Sequence, residues 1–582
     1  MQRETAWRRV PLGAADVAVE RRRDGAILLR SPHPLGPYPR NLIGRLAHWA
    51  RERPGHVLAA ERDAHGGWRT LSYGEAFRRA RRVGQALLER RLSAERPLAI
   101  LSENSLEHLM LMLGALYAGV PCAPVSPAYS LVSTDHAKLR HVMALATPGL
   151  VFAQDEARYA GAVGASVPKG AEVVFATVPE AEPTAAVDDA YGRTGGDTIA
   201  KLLFTSGSTG QPKAVIQTQR MWCANQQMLA QALPFLAAVP PVLVDWLPWH
   251  HTAGGSHNIG IVVYNGGTLH IDEGRPVPGM IEKTVANLRD VAPTIYFNVP
   301  RGYEALLPFL RADEALRRSF FSRMGLMQYA AAVLPQAVWQ AYEELAERSC
   351  GERILWITGY GATETAPFAM STNRGAARAG TVGLPVDGLE MKLAPVNGKL
   401  EARFRGPSIT PGYWRQPALT RAAFDEEGYY RTGDALRFLD PGDPAQGLEF
   451  DGRIAEDFKL TTGTWVSVGR LRAEVIAAGN PWVQDAVIAG HDRDEVCALV
   501  IPRPGAKEPD LQKLLDALAA RSTGSSTRIA RAALLAGPLS IDAGEITDKG
   551  SINQRAVLQR RADLVEMLYT EPYGPQVLKA NT

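Results

Sequence analysis

At 582 residues the chain has room for three or four units of ordinary domain size and for a large buried core. Its 46% hydrophobic and 21% charged residues are ordinary for globular proteins and exclude a disordered chain. The 64 basic and 61 acidic residues leave a net charge of +3, which gives no footing for a nucleic-acid or anionic-membrane partner. The four cysteines, Cys122, Cys223, Cys350 and Cys497, are far apart without metal-ligand spacing, so a reducing, cytoplasmic setting is expected. Met1 to Arg30 is charged and lacks the apolar core of a signal peptide.

In chain order, the arginines at 78, 79, 81 and 82 lie in a segment where Phe77, Val83, Leu87 and Leu88 keep helical spacing, which predicts an amphipathic helix with a solvated basic face. The apolar run from Leu109 to Val125 is interrupted by Gly114, Gly119, Pro121 and Pro124. It predicts a buried helix, capped by Asn104 or Ser105, followed by a buried strand rather than a membrane span. Short apolar runs at 97–101, 120–125, 149–153, 171–176 and 242–247 predict strands, most of them separated by helical patterns. Residues 178–196 and 441–447 read as loops. The alternation implies an α/β fold with largely parallel sheets. A new pattern after Asp451, Gly452 and Arg453 marks a boundary between residues 1–452 and 453–582.

An apolar strand at Leu202–Phe204 leads into T-S-G-S-T-G-Q-P-K, residues Thr205 to Lys213. Such a segment suits polyphosphate. Gly207 and Gly210 allow close backbone approach, Thr205, Ser206, Ser208 and Thr209 supply hydroxyls, successive N–H groups form an anion nest, and Lys213 adds a positive charge. It is not a P-loop of the usual kind, because Gln211 and Pro212 precede the lysine and Ala214 follows it. The segment resembles the phosphate loop of the adenylate-forming superfamily of acyl-CoA synthetases, luciferases and peptide-synthetase adenylation domains.

Further motifs carry the same resemblance in the same order. G-Y-G-A-T-E-T at Gly359–Thr365 is similar to the motif in which tyrosine packs on adenine, threonine contacts phosphate and glutamate holds Mg²⁺. The resemblance assigns these roles to Tyr360, Thr363 and Glu364, with Thr205 as a second metal ligand. Mg²⁺ takes oxygen ligands and keeps waters and substrate phosphates, so one carboxylate suffices. Y-R-T-G-D at 430–434 and D-G-R at 451–453 resemble the ribose-binding aspartate and the hinge arginine, here Asp434 and Arg453. W-L-P-W-H-H-T-A-G-G at 246–255 resembles the segment beside the acyl carboxylate, with His251 at the catalytic spacing. Neighbouring residues of a strand point to opposite faces, and no carboxylate pair accompanies His250 and His251, so no metal is expected there.

The resemblance implies a large N-terminal domain of parallel and mixed sheets flanked by helices, and a small mobile α+β domain that rotates between half-reactions. It implies ATP, Mg²⁺ and coenzyme A as cosubstrates and cofactors, with acyl-adenylate formation followed by thioester formation. The family's C-terminal lysine follows a glycine, but Ser551 stands at that position, so Lys549 in T-D-K-G-S-I-N-Q-R is the candidate. Ala455 and Glu456 stand where the family has its hinge Asp or Lys, leaving the pivot open.

Three segments, Pro212–Gln226, Lys459–Gly469 and Thr547–Val557, are most similar to bacterial feruloyl-CoA synthases, implying ferulate or a related hydroxycinnamate. Candidate acyl-pocket residues are His251, Thr252, Asn298, Tyr329, Ala330 and Gly359. The alternatives are a fatty acyl-CoA synthetase, an enzyme loading a carrier-protein thiol, and a non-catalytic nucleotide-binding protein. A homodimer is common among such proteins, though no segment reports it.

Overall fold

The computed structural model describes residues 5–206, 210–372, 380–503, 505, 510–535, 537–548 and 550–581. Gly207, Ser208, Thr209 and Lys549 lie outside the described residues, as does the Ser206 side chain. Among the described residues, a large N-terminal α/β domain carries three sheets and a small C-terminal domain carries its own four-stranded sheet.

A six-stranded sheet holds the strands expected at 97–101, 120–125, 149–153 and 171–176 as neighbouring parallel strands. Its edge is the hairpin of Ile199–Ser206 and Pro212–Thr218, in which Lys213 pairs with Thr205. An eleven-stranded sheet contains the parallel strands Ile295–Asn298, Leu326–Tyr329 and Leu355–Tyr360 in register, so Asn298, Tyr329 and Thr358 align at one end. Ligands of open α/β sheets gather at such carboxyl ends. A four-stranded sheet includes Val242–Asp245, which leads directly into the His250–His251 segment.

The helix Leu106–Ala118 is capped by Ser105, whose Oγ accepts from the His108 N–H at 3.1 Å, and it ends at Gly119 in the left-handed region. Every residue of it but Glu107 is buried, which is why its sequence is apolar on all faces rather than along one stripe. Among the described residues no helix is long and apolar enough to cross a membrane.

Residues 178–196 are not a plain loop: Ala185–Arg193 is a helix. The Thr184 hydroxyl accepts from the Ala186 N–H, while Val187 and Ala190 are buried, an apolar stripe too short to show as a period in sequence. The segment also covers the expected basic face of helix Tyr73–Glu89. Arg79 and Arg82 bond Glu180 at 2.9 and 3.0 Å, and Arg81 reaches Asp188 at 2.6 Å, so three arginines of that solvated face also form surface ion pairs.

In the small domain the sheet of Val483–Ala489, Val496–Pro502, Ile529–Leu534 and Leu578–Lys579 is covered on both faces. Helices Val468–Ala478 and Leu511–Ala519 pack on one face, and Gln554–Arg560 with Ala562–Met567 on the other. The domain is docked on the large one. Asp542 accepts from the backbone N–H and hydroxyl of Thr134, both at 2.9 Å, and Lys138 donates to the Ile541 carbonyl. Arg503 meets Glu304 at 3.3 Å.

Candidate active site

Three motifs distant in sequence converge at the seam of the sheets. Lys213 Nζ lies 5.1 Å from the centroid of the Tyr413 ring, and the Tyr413 hydroxyl donates to Glu364 Oε1 at 3.0 Å. Glu364 sits on a single 3₁₀ turn, Thr363–Thr365, that is almost wholly buried. Two long-range hydrogen bonds set that turn: Gln217 Nε2 donates to the Thr363 carbonyl at 2.7 Å and the Thr410 N–H to the Glu364 carbonyl at 2.8 Å. The turn thus ties the 199–218 hairpin to Tyr413. Glu364 Oε1 with the Thr205 hydroxyl, on the same hairpin as Lys213, offers the hard oxygen donors that Mg²⁺ takes.

Tyr360 ends the strand Leu355–Tyr360, and its hydroxyl donates to Asp434 Oδ2 at 2.7 Å. Burial pushes the Asp434 carboxyl up, against the opposing pull of Arg453 and Tyr360. Arg453 Nε stands 3.6 Å from Asp434 Oδ1 and is largely exposed. Gly359 has a local reason: a Cβ there would lie 2.2 Å from the Met370 carbonyl oxygen of the neighbouring strand.

The segment after Val242–Asp245 folds into a tight turn and then a π-helix, Ala253–Asn258, an irregularity frequent at functional sites. Asn104, a predicted cap, instead pins this turn. Its side chain donates to the Leu247 carbonyl at 2.9 Å and accepts from the Trp249 N–H at 3.0 Å. Gly255 is dictated by close approach, since a Cβ would meet the Trp249 carbonyl oxygen at 2.0 Å. Beneath it the fully buried Lys201 donates to the Gly255 carbonyl at 2.8 Å and to Ser256 Oγ at 2.5 Å, 3.5 Å above the Trp222 ring. Burial brings the Lys201 pKa down to about 7.

His250 and His251 are therefore not strand neighbours. Their ring centroids are 4.0 Å apart, and both Nε2 atoms face one carboxylate, Asp548 Oδ2 of the small domain, at 3.3 and 3.6 Å. From sequence no carboxylate pair was expected beside them and hence no metal; tertiary structure brings a single carboxylate, Asp548, from almost 300 residues away. Thr252 is buried beside them, and Ala330 packs against Trp246, Leu247 and Phe297.

Asn298 and Tyr329 are both buried. The Asn298 amide is spent locally, donating to the Tyr296 hydroxyl at 2.9 Å and accepting from the Val299 N–H at 2.8 Å. The Tyr329 ring packs edge-on against Trp339 and Trp356.

Sequence reasoning missed Tyr413, Lys201, His257 and the Lys399–Asp457 pair. Lys399 Nζ lies 2.5 Å from Asp457 Oδ2 and donates to the Asp451 carbonyl at 2.6 Å, clamping the segment around Arg453. Asp457, one position past Glu456, was a signal within reach.

The AMP-binding enzyme family matches residues 46–414, and the AMP-binding enzyme C-terminal domain family matches residues 460–572. The chain belongs to the AMP-binding enzyme family. A malonate–CoA ligase of Arabidopsis thaliana is 27% identical over 406 residues, 66% of this chain and 61% of the relative. A 3-hydroxybenzoate–CoA ligase of Aromatoleum sp. (strain CIB) is 24% identical over 469 residues, 76% of this chain and 83% of the relative. The ATP-bound structure of MatB from Rhodopseudomonas palustris has the same fold, with TM-score 0.68 at 22% identity over 90% of this chain and 99% of that one. The chain spans between 47% and 61% of the length of the first curated relatives it matches. Both halves of this AMP-binding enzyme contribute to the site, since the Asp548 carboxylate of the small domain meets the histidine pair of the large one.

Proposed function

We propose that this protein is an ATP- and Mg²⁺-dependent acid–thiol ligase that converts a carboxylic acid to its acyl-adenylate and then to a coenzyme A thioester. The observation that carries the reading is the linkage of Lys213, Tyr413 and Glu364, with Tyr360 and Asp434 beside them and the Asp548 segment of the small domain closing over the histidine pair.

The reaction joins the acid's carboxylate oxygen to the α-phosphorus of ATP and breaks the bond to pyrophosphate. Phosphoryl-transfer catalysis consists mainly of positioning and of neutralising oxygens. Thr205, Ser206, Gly207, Ser208, Thr209, Gly210 and Lys213 hold the leaving phosphates. Thr363 contacts phosphate, and Glu364 and Thr205 hold Mg²⁺, which supplies charge neutralisation. Tyr360 packs on adenine, and Asp434 and Arg453 take the ribose hydroxyls. His251 stands beside the carboxylate, and Lys549 supplies the cation from the small domain. The thiol of coenzyme A then attacks the acyl carbon and releases AMP, after residues 453–582 rotate away from residues 1–452 about the Lys399–Asp457 clamp.

The acid we propose is aromatic and bears a hydrogen-bond donor, with ferulate and related hydroxycinnamates first in line. Among the relatives, one acts on 3-hydroxybenzoate and another on malonate by name. The support for an aryl acid is His257. Burial brings its pKa down to about 4, so the ring is neutral, and its Nδ1 meets Asn258 Oδ1 at 2.9 Å. With that nitrogen donating, Nε2 carries a lone pair, and it is buried without a hydrogen-bond partner between Phe297 and Phe368, 4.5 and 6.3 Å from their centroids. A phenolic hydroxyl or an arylamine satisfies such an acceptor.

The test is incubation with ATP, Mg²⁺ and coenzyme A, offering ferulate, 4-coumarate, 3-hydroxybenzoate, malonate and octanoate separately, with thioester and pyrophosphate both measured. Feruloyl- or coumaroyl-CoA as the main product supports the whole reading. Malonyl- or octanoyl-CoA alone retains the reaction and removes the aryl acid. Pyrophosphate without thioester moves the acceptor to a carrier-protein thiol.

A further inference from the structure

We infer that His250, His251 and Asp548 form a binding site for a zinc-class transition-metal ion bridging the two domains. Their ligand atoms, two imidazole nitrogens and one carboxylate oxygen, all lie within 4.8 Å of one another. Zn²⁺ binds imidazole and carboxylate at about 2.0–2.2 Å in a tetrahedron, which places neighbouring ligand atoms about 3.3–3.6 Å apart. The two histidine–carboxylate separations, 3.3 and 3.6 Å, are close to that edge length.

A second observation favours a shared ion over a simple ion pair. His250 is nine-tenths buried, yet its Nε2 has no aligned hydrogen-bond partner despite lying 3.3 Å from Asp548 Oδ2. An imidazole and a carboxylate this close but misaligned are converging on a common point. The neighbouring cation Lys138 donates to the Ile541 carbonyl and also feels the charge of Asp548, so an ion here would share that carboxylate with it. The donor set also separates this site from the Mg²⁺ ligands around Glu364: imidazole nitrogens suit Zn²⁺, Ni²⁺ and Cu²⁺, whereas Mg²⁺ takes oxygens.

Since two ligands belong to the large domain and one to the small, the full set exists only in the docked arrangement. An ion bound there stabilises that arrangement by mass action and opposes the rotation that thioester formation requires, making zinc an inhibitor of the second half-reaction.

The experiment is calorimetric titration of Zn²⁺ alone into the full-length, nucleotide-free protein, beside Asp548→Asn, Asp548→Glu and His250→Gln, each first shown by circular dichroism to melt as the wild type does. One equivalent should bind the wild type, and Asp548→Glu should keep that binding. Asp548→Asn and His250→Gln should each bind more than tenfold more weakly, since even outer-sphere partners of metal ligands cost 10–100-fold when removed. Excess Mg²⁺ should leave the wild-type isotherm unchanged. Absence of a one-equivalent isotherm, wild-type affinity in Asp548→Asn, or displacement by Mg²⁺ would each overturn the site. Because binding is read without substrate, the result is independent of which reaction the enzyme performs.

Discussion

The Tyr360 hydroxyl donates to Asp434 at 2.7 Å, joining two motifs 74 residues apart into one surface. A hydrogen bond to a charged group contributes about 1.5–3 kcal/mol, and here it orients the carboxylate assigned to ribose. Tyr360→Phe should therefore raise the KM for ATP by about tenfold or more while leaving the KM for the acid unchanged. Steady-state kinetics with each substrate varied in turn reads this directly.

Glu364→Gln keeps the size of the side chain and removes its charge. The Mg²⁺ concentration giving half-maximal pyrophosphate release should rise, and kcat should fall by about 10²–10³, the range seen when one electrostatic partner of a transition state is lost. Tyr413→Phe keeps the ring beside Lys213, removes the hydroxyl's bonds to Glu364 and Tyr430, and should show the same change in smaller measure.

Lys549→Ala should abolish adenylation while preserving thioester formation from supplied acyl-adenylate. Equal loss in both half-reactions would assign the lysine a structural role instead.

His257→Phe fills similar space with no acceptor. The preference for 4-coumarate over cinnamate, as the ratio of kcat/KM values, should fall at least about tenfold, since a site built to bond a hydroxyl discriminates strongly against its absence.

The fully buried Asp245 has one carboxylate oxygen without a partner, and burial raises its pKa to about 7. In the unfolded chain it titrates near 3.8. Between those values the folded state holds the extra proton, so stability from this group is full below pH 3.8, falls as pH rises from there, and is lost by the time pH passes about 7. Asp245→Asn should leave the melting temperature nearly unchanged at about pH 3.5 and raise it at about pH 8. Lys201 runs the opposite way: its folded pKa of about 7 lies below the unfolded 10.5. Stability from Lys201 therefore grows from pH 7 to 10, a slope that Lys201→Met should remove.

The elements legible in sequence were those whose signal is local. The Leu106–Ala118 helix carries its own cap and glycine stop, and the parallel strands of the six-stranded sheet are short β-branched or apolar runs bounded by turns. The 205–213, 359–365 and 430–434 segments were recognisable because close backbone approach, hydroxyl donors and single carboxylates at set spacings leave few substitutes. The helix Ala185–Arg193 was not legible, since two buried residues on one short face make no detectable period.

Residue identities and spacing alone thus determined the α/β class, the family and the residues proposed to meet nucleotide and Mg²⁺, because that chemistry depends on contiguous segments. Only tertiary structure decided that Tyr413 links Lys213 to Glu364, that Lys201 lies beneath the π-helix, and that Asp548 stands between two adjacent histidines. Each of these contacts joins residues with no shared local pattern. Side-chain distances of 3–5 Å between distant segments arise from how sheets and domains pack, and no spacing along the chain encodes them.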